Sequence, residues 1–342
     1  MPKVSVIIPN YNHSRFLERR IDSILDQTFQ DFEIIFLDDN STDKSQDIFS
    51  KYLGNPKISH NIINEVNSNS TFKQWNRGIE LAVGEYIWIA ESDDYAAPRF
   101  LEALVSVLDR NDDIGIAYCQ SFIIDEQDNF LAPNFLSCTD CLDLKKWTTN
   151  YLNKGIDECK NFLVGKNTIP NASAVLVRKS VYDAKVGRDN ERFKVAGDWF
   201  TWLKILLASD VYFVAESLNY FRFCESSVSR QSTKLPIVVQ ESLSICQQVR
   251  EHIDISQSAQ EVFFNLVSSW WLTYFIVGCD FNWDREFSSY QKLLKLSPSY
   301  LSVLSLHSQL LVTPFQRFRY HLKLGNRLAS FKKSLQYSGS NL

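Results

Sequence analysis

Residues Glu91-Ser92-Asp93-Asp94 put three carboxylates into four positions. They follow a short apolar run, Tyr86-Ile87-Trp88-Ile89-Ala90, which reads as a buried strand. Like charges a few ångströms apart repel, and desolvation raises the cost. Such a cluster at the mouth of a core strand calls for a positive partner. A second acidic pair, Asp38-Asp39, ends another apolar run, and Pro9-Asn10-Tyr11-Asn12 ends the first. Together these strand ends describe an acidic site with one aromatic ring. No Gly-rich loop follows the first strand, so neither a GxGxxG nor a Walker-type phosphate cradle is present.

The elements that must position these residues alternate over the first 115 positions. Strands are expected at Val4–Pro9, Phe32–Asp38, Ile58–Val66, Glu85–Ala90 and Ile114–Ile124. Helices are expected at Ser14–Thr28 with Ser14 as N-cap, from Ser41 to about Leu53, at Thr71–Val83, and at Pro98–Arg110 with proline at its start. Alternation with fully apolar strands predicts a parallel sheet covered on both faces. Right-handed crossovers put the three polar strand ends on one edge, where ligands of such sheets bind. Beyond residue 125 the pattern loosens. A helix is expected at Leu142–Leu152, a strand at Asn171–Arg178, a helix at Gly197–Ala208, and a strand pair at Val211–Val214 and Leu218–Phe223. Helices follow at about 236–252, 258–279 and 284–295. The apolar run Val262–Cys279 is short and carries Asn265, Ser268 and Ser269, which favours a buried helix over a spanning one.

The strand-end residues resemble a known family. The opening VSVIIPNYNHSRFLERRIDSILDQTFQDFEIIFLDDNSTD is similar to that of family 2 glycosyltransferases of the GT-A fold, with P-x-Y-N after the first strand and D-D-x-S after the second. GEYIWIAESDD, followed by Pro98, looks like the family's metal-binding D-x-D segment. Gly197-Asp198-Trp199 stands where the family has E-D. Tyr220-Phe221-Arg222-Phe223-Cys224 with Ser227 and Ser229 resembles its Y-R-x-H-x-x-S-x-S segment. The resemblance covers about residues 3–230. It departs from the family at Glu91 for the first Asp of D-x-D, Gly197 for Glu, and Cys224 for His. The fold it implies is α/β: a Rossmann-like nucleotide-binding sheet with helices on both faces over residues 1–232, then a mainly helical extension over 233–342.

The resemblance implies inverting transfer of a sugar from a nucleotide diphosphate to a hydroxyl, with Mg²⁺ or Mn²⁺ neutralising the leaving diphosphate. Glu91 and Asp93 are the expected metal ligands, with Asp93 direct and Asp94 turned toward the next helix. Pro9, Tyr11 and Asp39 are expected to form the base pocket: Tyr11 stacks on a pyrimidine, and Asp39 accepts the imide N–H of uracil or thymine. Core packing is the other reading of Tyr11, and bracing of the turn is the expectation for Asp38. Asn12 and Ser92 join the nucleotide-binding set. Lys73 and Arg77, one turn apart, face either the diphosphate or solvent. Arg222, with 227–230, is expected to close over the diphosphate. Asp198 is the expected base, since inversion needs one carboxylate opposite the leaving group. Asp189 and Glu191 compete with it, and helix capping is its structural alternative.

Composition limits the rest. The chain has 342 residues, 45% apolar, enough for a substantial core. Seven scattered cysteines and a start, Met1-Pro2-Lys3, that runs straight into the first strand lead to the expectation of a cytoplasmic protein with reduced thiols. Net charge is −4, yet no Asp or Glu follows Glu286, while Lys292, Lys295, Arg317, Arg319, Lys323, Arg327, Lys332 and Lys333 do. Phe315–Lys333 interleaves aromatic, aliphatic and basic residues. It reads as a peripheral contact with an anionic membrane, suited to a lipid-linked glycan acceptor in bacterial surface polysaccharide synthesis, or as a solvated basic end. The acidic body argues against nucleic acid. The three departures keep a second functional class open, a non-catalytic relative that binds nucleotide-sugar or glycan. A receiver-like phospho-acceptor domain fits less well, because no Lys follows its last strand convincingly.

Overall fold

The computed structural model describes residues 1–224, 235–277, 283–314 and 316. In chain order the strands are β1 (Val4–Asn10), β2 (Phe32–Asp38), β3 (Ile58–Ile63), β4 (Tyr86–Ile89), β5 (Tyr95–Ala96), β6 (Ile114–Ile124), β7 (Phe130–Ala132), β8 (Tyr151–Asn153), β9 (Val175–Arg178) and β10 (Asp210–Arg222). The longer helices are α1 (Ser14–Leu25), α2 (Ser45–Ser50), α3 (Thr71–Leu81), α4 (Phe100–Leu108), α5 (Lys179–Lys185), α6 (Gly197–Leu206), α7 (Leu235–Arg250), α8 (Gln257–Val277) and α9 (Trp283–Lys295). A further helix, α10, covers residues 300–314.

The strands form one sheet in the order β3-β2-β1-β4-β9-β6-β10-β5, with β7 on β6 and β8 on β10. Strand β1 lies at its functional centre, parallel to both β2 and β4. The strands of the alternating region, β1, β2, β3, β4 and β6, all run in one direction as their apolar runs predict, and the later strands make the whole sheet mixed. Strand β9 enters between β4 and β6 and is antiparallel to both. An apolar run records burial on both faces, and helices cover both faces here whichever way a strand points.

Side chains alternate across the sheet as period 2 requires. Val4, Val6, Ile8, Ile34, Phe36, Tyr86 and Trp88 point into one apolar layer with Leu17, Ile21 and Ile24 of α1 and Phe100, Leu101 and Leu104 of α4. Ile7, Ile35, Leu37, Ile87 and Ile89 point into the other, with Phe72, Trp75 and Ile79 of α3 and Trp199, Trp202 and Leu203 of α6. Val239 and Leu243 of α7, Phe263 and Trp271 of α8, Leu293 of α9 and Leu306 of α10 share that second layer. The C-terminal helices are therefore packed on the same core as the sheet.

Three local expectations are corrected. The helix expected at Leu142–Leu152 is a 3₁₀ turn at Lys146–Thr148 followed by strand β8. Its apolar spacing serves tertiary contacts: Trp147 Nε1 donates to Tyr118 Oη at 2.9 Å, and the Tyr118 and Tyr151 hydroxyls lie 2.8 Å apart. The expected strand pair at 211–223 is the single strand β10, which shifts register against β6 between Val214 and Asn219. The polar step Glu216-Ser217 that imitates a turn is thus an irregularity inside one strand. At α1 the N-cap is His13, not Ser14, and the Ser14 N–H donates to Asp43 Oδ2 at 2.8 Å.

Candidate active site

The carboxyl ends of β1, β2 and β4 open onto a cleft of about 440 Å³. Pro9, Tyr11, Asp39, Glu91 and Ser92 line it together, with Lys194 from the segment before α6. The Tyr11 ring is 48% exposed there and is not core packing. Asp39 is held rigidly. Its Oδ1 accepts from Asn64 Nδ2 at 2.6 Å, Ser68 N at 2.9 Å and Gln74 Nε2 at 2.9 Å, and its Oδ2 accepts from Ser68 Oγ at 2.8 Å. Oδ2 thus carries fewer contacts among the described residues and retains acceptor capacity. Asp38 is fully buried and braces the turn: its Oδ1 accepts from Ser41 N and its Oδ2 from Asn10 Nδ2, each at 2.8 Å.

Asn12 is exposed and does not line the cleft. It adopts φ 57°, a left-handed conformation that Asn tolerates, and its Oδ1 accepts the Thr42 N–H at 2.8 Å. It ties the loop after β1 to the loop after β2. Lys73 and Arg77 lie on the exposed side of α3 and do not line the cleft. Arg77 instead donates to Asn64, the residue whose amide holds Asp39.

The acidic cluster is unevenly satisfied. Trp75 Nε1 donates to Glu91 Oε1 at 2.8 Å. Burial, and then the charge of Asp93, push the Glu91 carboxyl up to about 8. Burial and the same charge push Asp94 upward, although its Oδ1 accepts the Arg222 N–H at 2.8 Å. Asp93 has no side-chain hydrogen bond among the described residues and is only partly buried. Ser92 Oγ and His13 Nδ1 lie 2.8 Å apart.

Two arginines supply fixed positive charge. Arg20 of α1 is fully buried, donates Nε–H to the Glu91 carbonyl at 2.8 Å, and leaves both Nη atoms without partners among the described residues. Burial pulls it down to about 10 against the opposing charges of Asp94, Asp93 and Glu91. Arg222 donates Nε–H to the Asp93 carbonyl at 2.8 Å and Nη1–H to the Asp125 carbonyl at 2.7 Å, and pairs through Nη2 with Asp128 at 2.6 Å. Arg222 is therefore placed as a brace behind Asp93, away from the cleft lining. The 227–230 segment expected to act with it lies outside the described residues.

The donor set fits a hard divalent cation. Asp93, which is not itself among the cleft-lining residues, has a carboxylate with no partner among the described residues, Glu91 offers a second carboxyl group, and no three His, Cys, Asp or Glu side chains converge among the described residues. The rest of a coordination shell falls to water and ligand oxygens, as is usual for Mg²⁺.

Asp198 opens α6. Its Oδ1 accepts the Trp199 N–H at 2.7 Å and its Oδ2 accepts from Asn167 Nδ2 at 3.1 Å. Burial lifts its carboxyl to about 6, and the charge of Glu241 adds to the rise. The competitors are placed otherwise. Glu191 accepts from Asn76 and pairs with Arg188, and Asp189 is exposed. Gly197 has a direct physical reason. A Cβ there would stand 2.6 Å from the Phe72 ring. Phe72 packs edge-on against Trp75, which holds Glu91, so α3 joins the Asp198 segment to the acidic cluster.

A family model, Glycosyl transferase family 2, matches residues 5–183, more than half of the chain. The chain belongs to this glycosyltransferase family. An uncharacterised glycosyltransferase of Nostoc sp. is 36% identical over 116 residues, 34% of this chain and 36% of that protein. One of Rickettsia typhi is 30% identical over 222 residues, 64% of this chain and 63% of that protein. The matches thus span less than two thirds of either relative. The crystal structure of S. aureus TarS 1–349 in complex with UDP superposes with a TM-score of 0.64 at 16% identity, covering 92% of this chain and 88% of that one. The shared fold is GT-A.

Several residues of this family 2 glycosyltransferase escaped sequence reasoning. Arg20 and Gln74 are polar positions within apolar helix stripes, between Leu17 and Ile24 and between Phe72 and Ile79. That interruption was a readable signal. Trp75 has the spacing of an ordinary core residue on its helix. Glu241 gave no signal at all, yet its carboxylate accepts the backbone N–H groups of Lys194, Val195 and Ala196 at 2.7, 3.0 and 2.8 Å.

Proposed function

We propose that the protein is an inverting glycosyltransferase that moves a sugar from a nucleotide-diphosphate donor, UDP-sugar favoured, to a hydroxyl of a glycan or lipid-linked acceptor in surface polysaccharide synthesis. One observation carries the reading. Pro9, Tyr11, Asp39, Glu91 and Ser92 share a single cleft with Lys194, four residues before Asp198. Tyr11 stacks on the base and Asp39 Oδ2 accepts its imide N–H. Glu91 and Asp93 would hold Mg²⁺ or Mn²⁺, which supplies positive charge against the diphosphate.

Asp198 takes the acceptor's hydroxyl proton as the hydroxyl oxygen bonds to the anomeric carbon. The bond from that carbon to the diphosphate oxygen breaks, and the nucleotide leaves with the electron pair. A carboxyl raised to about 6 is ionised at neutral pH and still basic enough to accept the proton. TarS, a relative in fold, is known in complex with UDP, which supports a nucleotide-diphosphate donor for this chain. The reading also places the chain in the cytoplasm, at the inner face of the membrane, with the basic tail as contact. Residues 317–342 of that tail lie outside the described residues.

The test is calorimetric titration of UDP, GDP and dTDP, each with and without Mn²⁺. The expected result is metal-dependent binding of one nucleotide, lost in Asp93→Ala. No metal-dependent binding of any of the three would overturn the reading and favour a non-catalytic relative.

A further inference from the structure

Helix α10 turns its apolar residues in two directions. Leu306 and Thr313 are buried against the body, each 2% exposed. On the other side Tyr300 and Leu301 are each 75% exposed, Leu311 85%, Val312 53% and Leu304 44%. At helical pitch these five positions fall within an arc of about 120°. The helix YLSVLSLHSQLLVTP has no Lys, Arg, Asp or Glu, and its polar residues are Ser302, Ser305, His307, Ser308, Gln309 and Thr313. An uncharged helix with a solvent-facing stripe of Leu and Tyr is costly in water and needs a cover.

The sequence next to the helix identifies that cover. No acidic residue follows Glu286, and Arg317, Arg319, Lys323, Arg327, Lys332 and Lys333 follow the helix directly. An apolar stripe continued by an acid-free basic segment is complementary to an anionic lipid surface, where acyl chains take the stripe and headgroups take the charge. No described helix is long and apolar enough to cross a membrane, so the contact is one of lying on the surface. On the other face Leu306 anchors α10 to the core layer that Trp199, Trp202 and Leu203 of α6 share.

We propose that the outer face of α10, through Tyr300, Leu301, Leu304, Leu311 and Val312, is the hydrophobic half of a two-part membrane anchor whose electrostatic half is the basic tail. This deepens the membrane contact of the proposed function and rests on that contact for the partner's class. It does not depend on the nucleotide cleft.

The test floats the full-length protein with vesicles of phosphatidylcholine alone and of phosphatidylcholine with phosphatidylglycerol. The variants are Leu301→Ser with Leu311→Ser, and separately Arg317→Glu with Arg319→Glu. Both Leu side chains are exposed, so circular dichroism and UDP binding should match the unaltered protein. The expected result is flotation on the anionic vesicles only, falling roughly tenfold or more in the Leu variant, from the loss of two inserted apolar side chains. Undiminished flotation of the Leu variant alongside loss in the Arg variant would overturn the role of α10 and leave a purely electrostatic tail. No flotation of the unaltered protein would overturn both the anchor and the membrane contact. Light scattering on the same samples separates another occupant. A dimer that the Leu variant turns into a monomer would assign the stripe to a second copy of the chain and refute a lipid partner.

Discussion

Trp75 Nε1 donates to Glu91 Oε1 at 2.8 Å, which commits one oxygen of a proposed metal ligand to the core. Glu91 is longer than the Asp that the family motif carries, and the indole fixes where the extra length goes. The neighbouring Asp93 keeps its carboxylate without a described partner. Trp75→Phe removes the donor while keeping a ring in the core. Titration calorimetry should then show Mn²⁺-dependent nucleotide binding weaker by about tenfold, because the indole N–H favours the ionised form of Glu91 that a cation needs, with metal-free binding unchanged.

Asp198→Asn removes the proposed base. Its kcat should drop by roughly 10²–10⁴-fold while UDP affinity stays the same. In the unaltered enzyme only the ionised carboxylate accepts a proton. Activity should therefore rise with pH through an acid limb near 6, where burial holds Asp198. A pH–rate profile flat across that region would remove Asp198 from the role.

Glu241 acts on Asp198 from another helix. Its carboxylate gathers the N–H groups of Lys194, Val195 and Ala196, and its negative charge raises the Asp198 carboxyl. Glu241→Gln keeps the size and removes the charge. The acid limb should move to lower pH, because a base without a nearby anion stays ionised further down. A lower kcat with an unmoved limb would reduce Glu241 to a purely structural contact.

Tyr11 offers a free ring face at the cleft. Tyr11→Ala should weaken UDP binding by roughly 5–150-fold, since base–aromatic stacking is worth about 1–3 kcal/mol. Thermal unfolding of the free protein should hardly change, because half of this side chain is already in water.

Gly197→Ala forces a methyl group to within 2.6 Å of the Phe72 ring. Overpacking of this kind costs about 1–3 kcal/mol. Urea titration should show that loss. A companion Phe72→Leu should recover part of it if the ring is the obstacle.

Much of the cleft lining is legible in the sequence. Pro9, Tyr11, Asp39, Glu91 and Ser92 stand at strand ends, and all five line one cleft. Strand ends are readable because a buried apolar run stops where polar residues begin, and a parallel β1-β2-β4 core brings those ends to one edge. Arg222, Lys73, Arg77 and Asn12 were less legible. Their residue types suit a diphosphate or a nucleotide, but type does not say which way a side chain turns. Arg222 turns to the Asp93 and Asp125 carbonyls, and Arg77 to Asn64.

The sequence by itself determined the α/β alternation, the two-layer core and the clustering of polar residues at the ends of β1, β2 and β4. Each depends on hydrophobic period and on neighbours within one element, which a linear pattern records. Only the tertiary structure decided the antiparallel entry of β9, the Trp75 clamp on Glu91, the buried charge of Arg20 and the reach of Glu241 to the segment before Asp198. These join segments far apart in the chain. Their partners are selected by which surfaces the packed helices and sheet bring within hydrogen-bonding distance, and no local pattern encodes that choice.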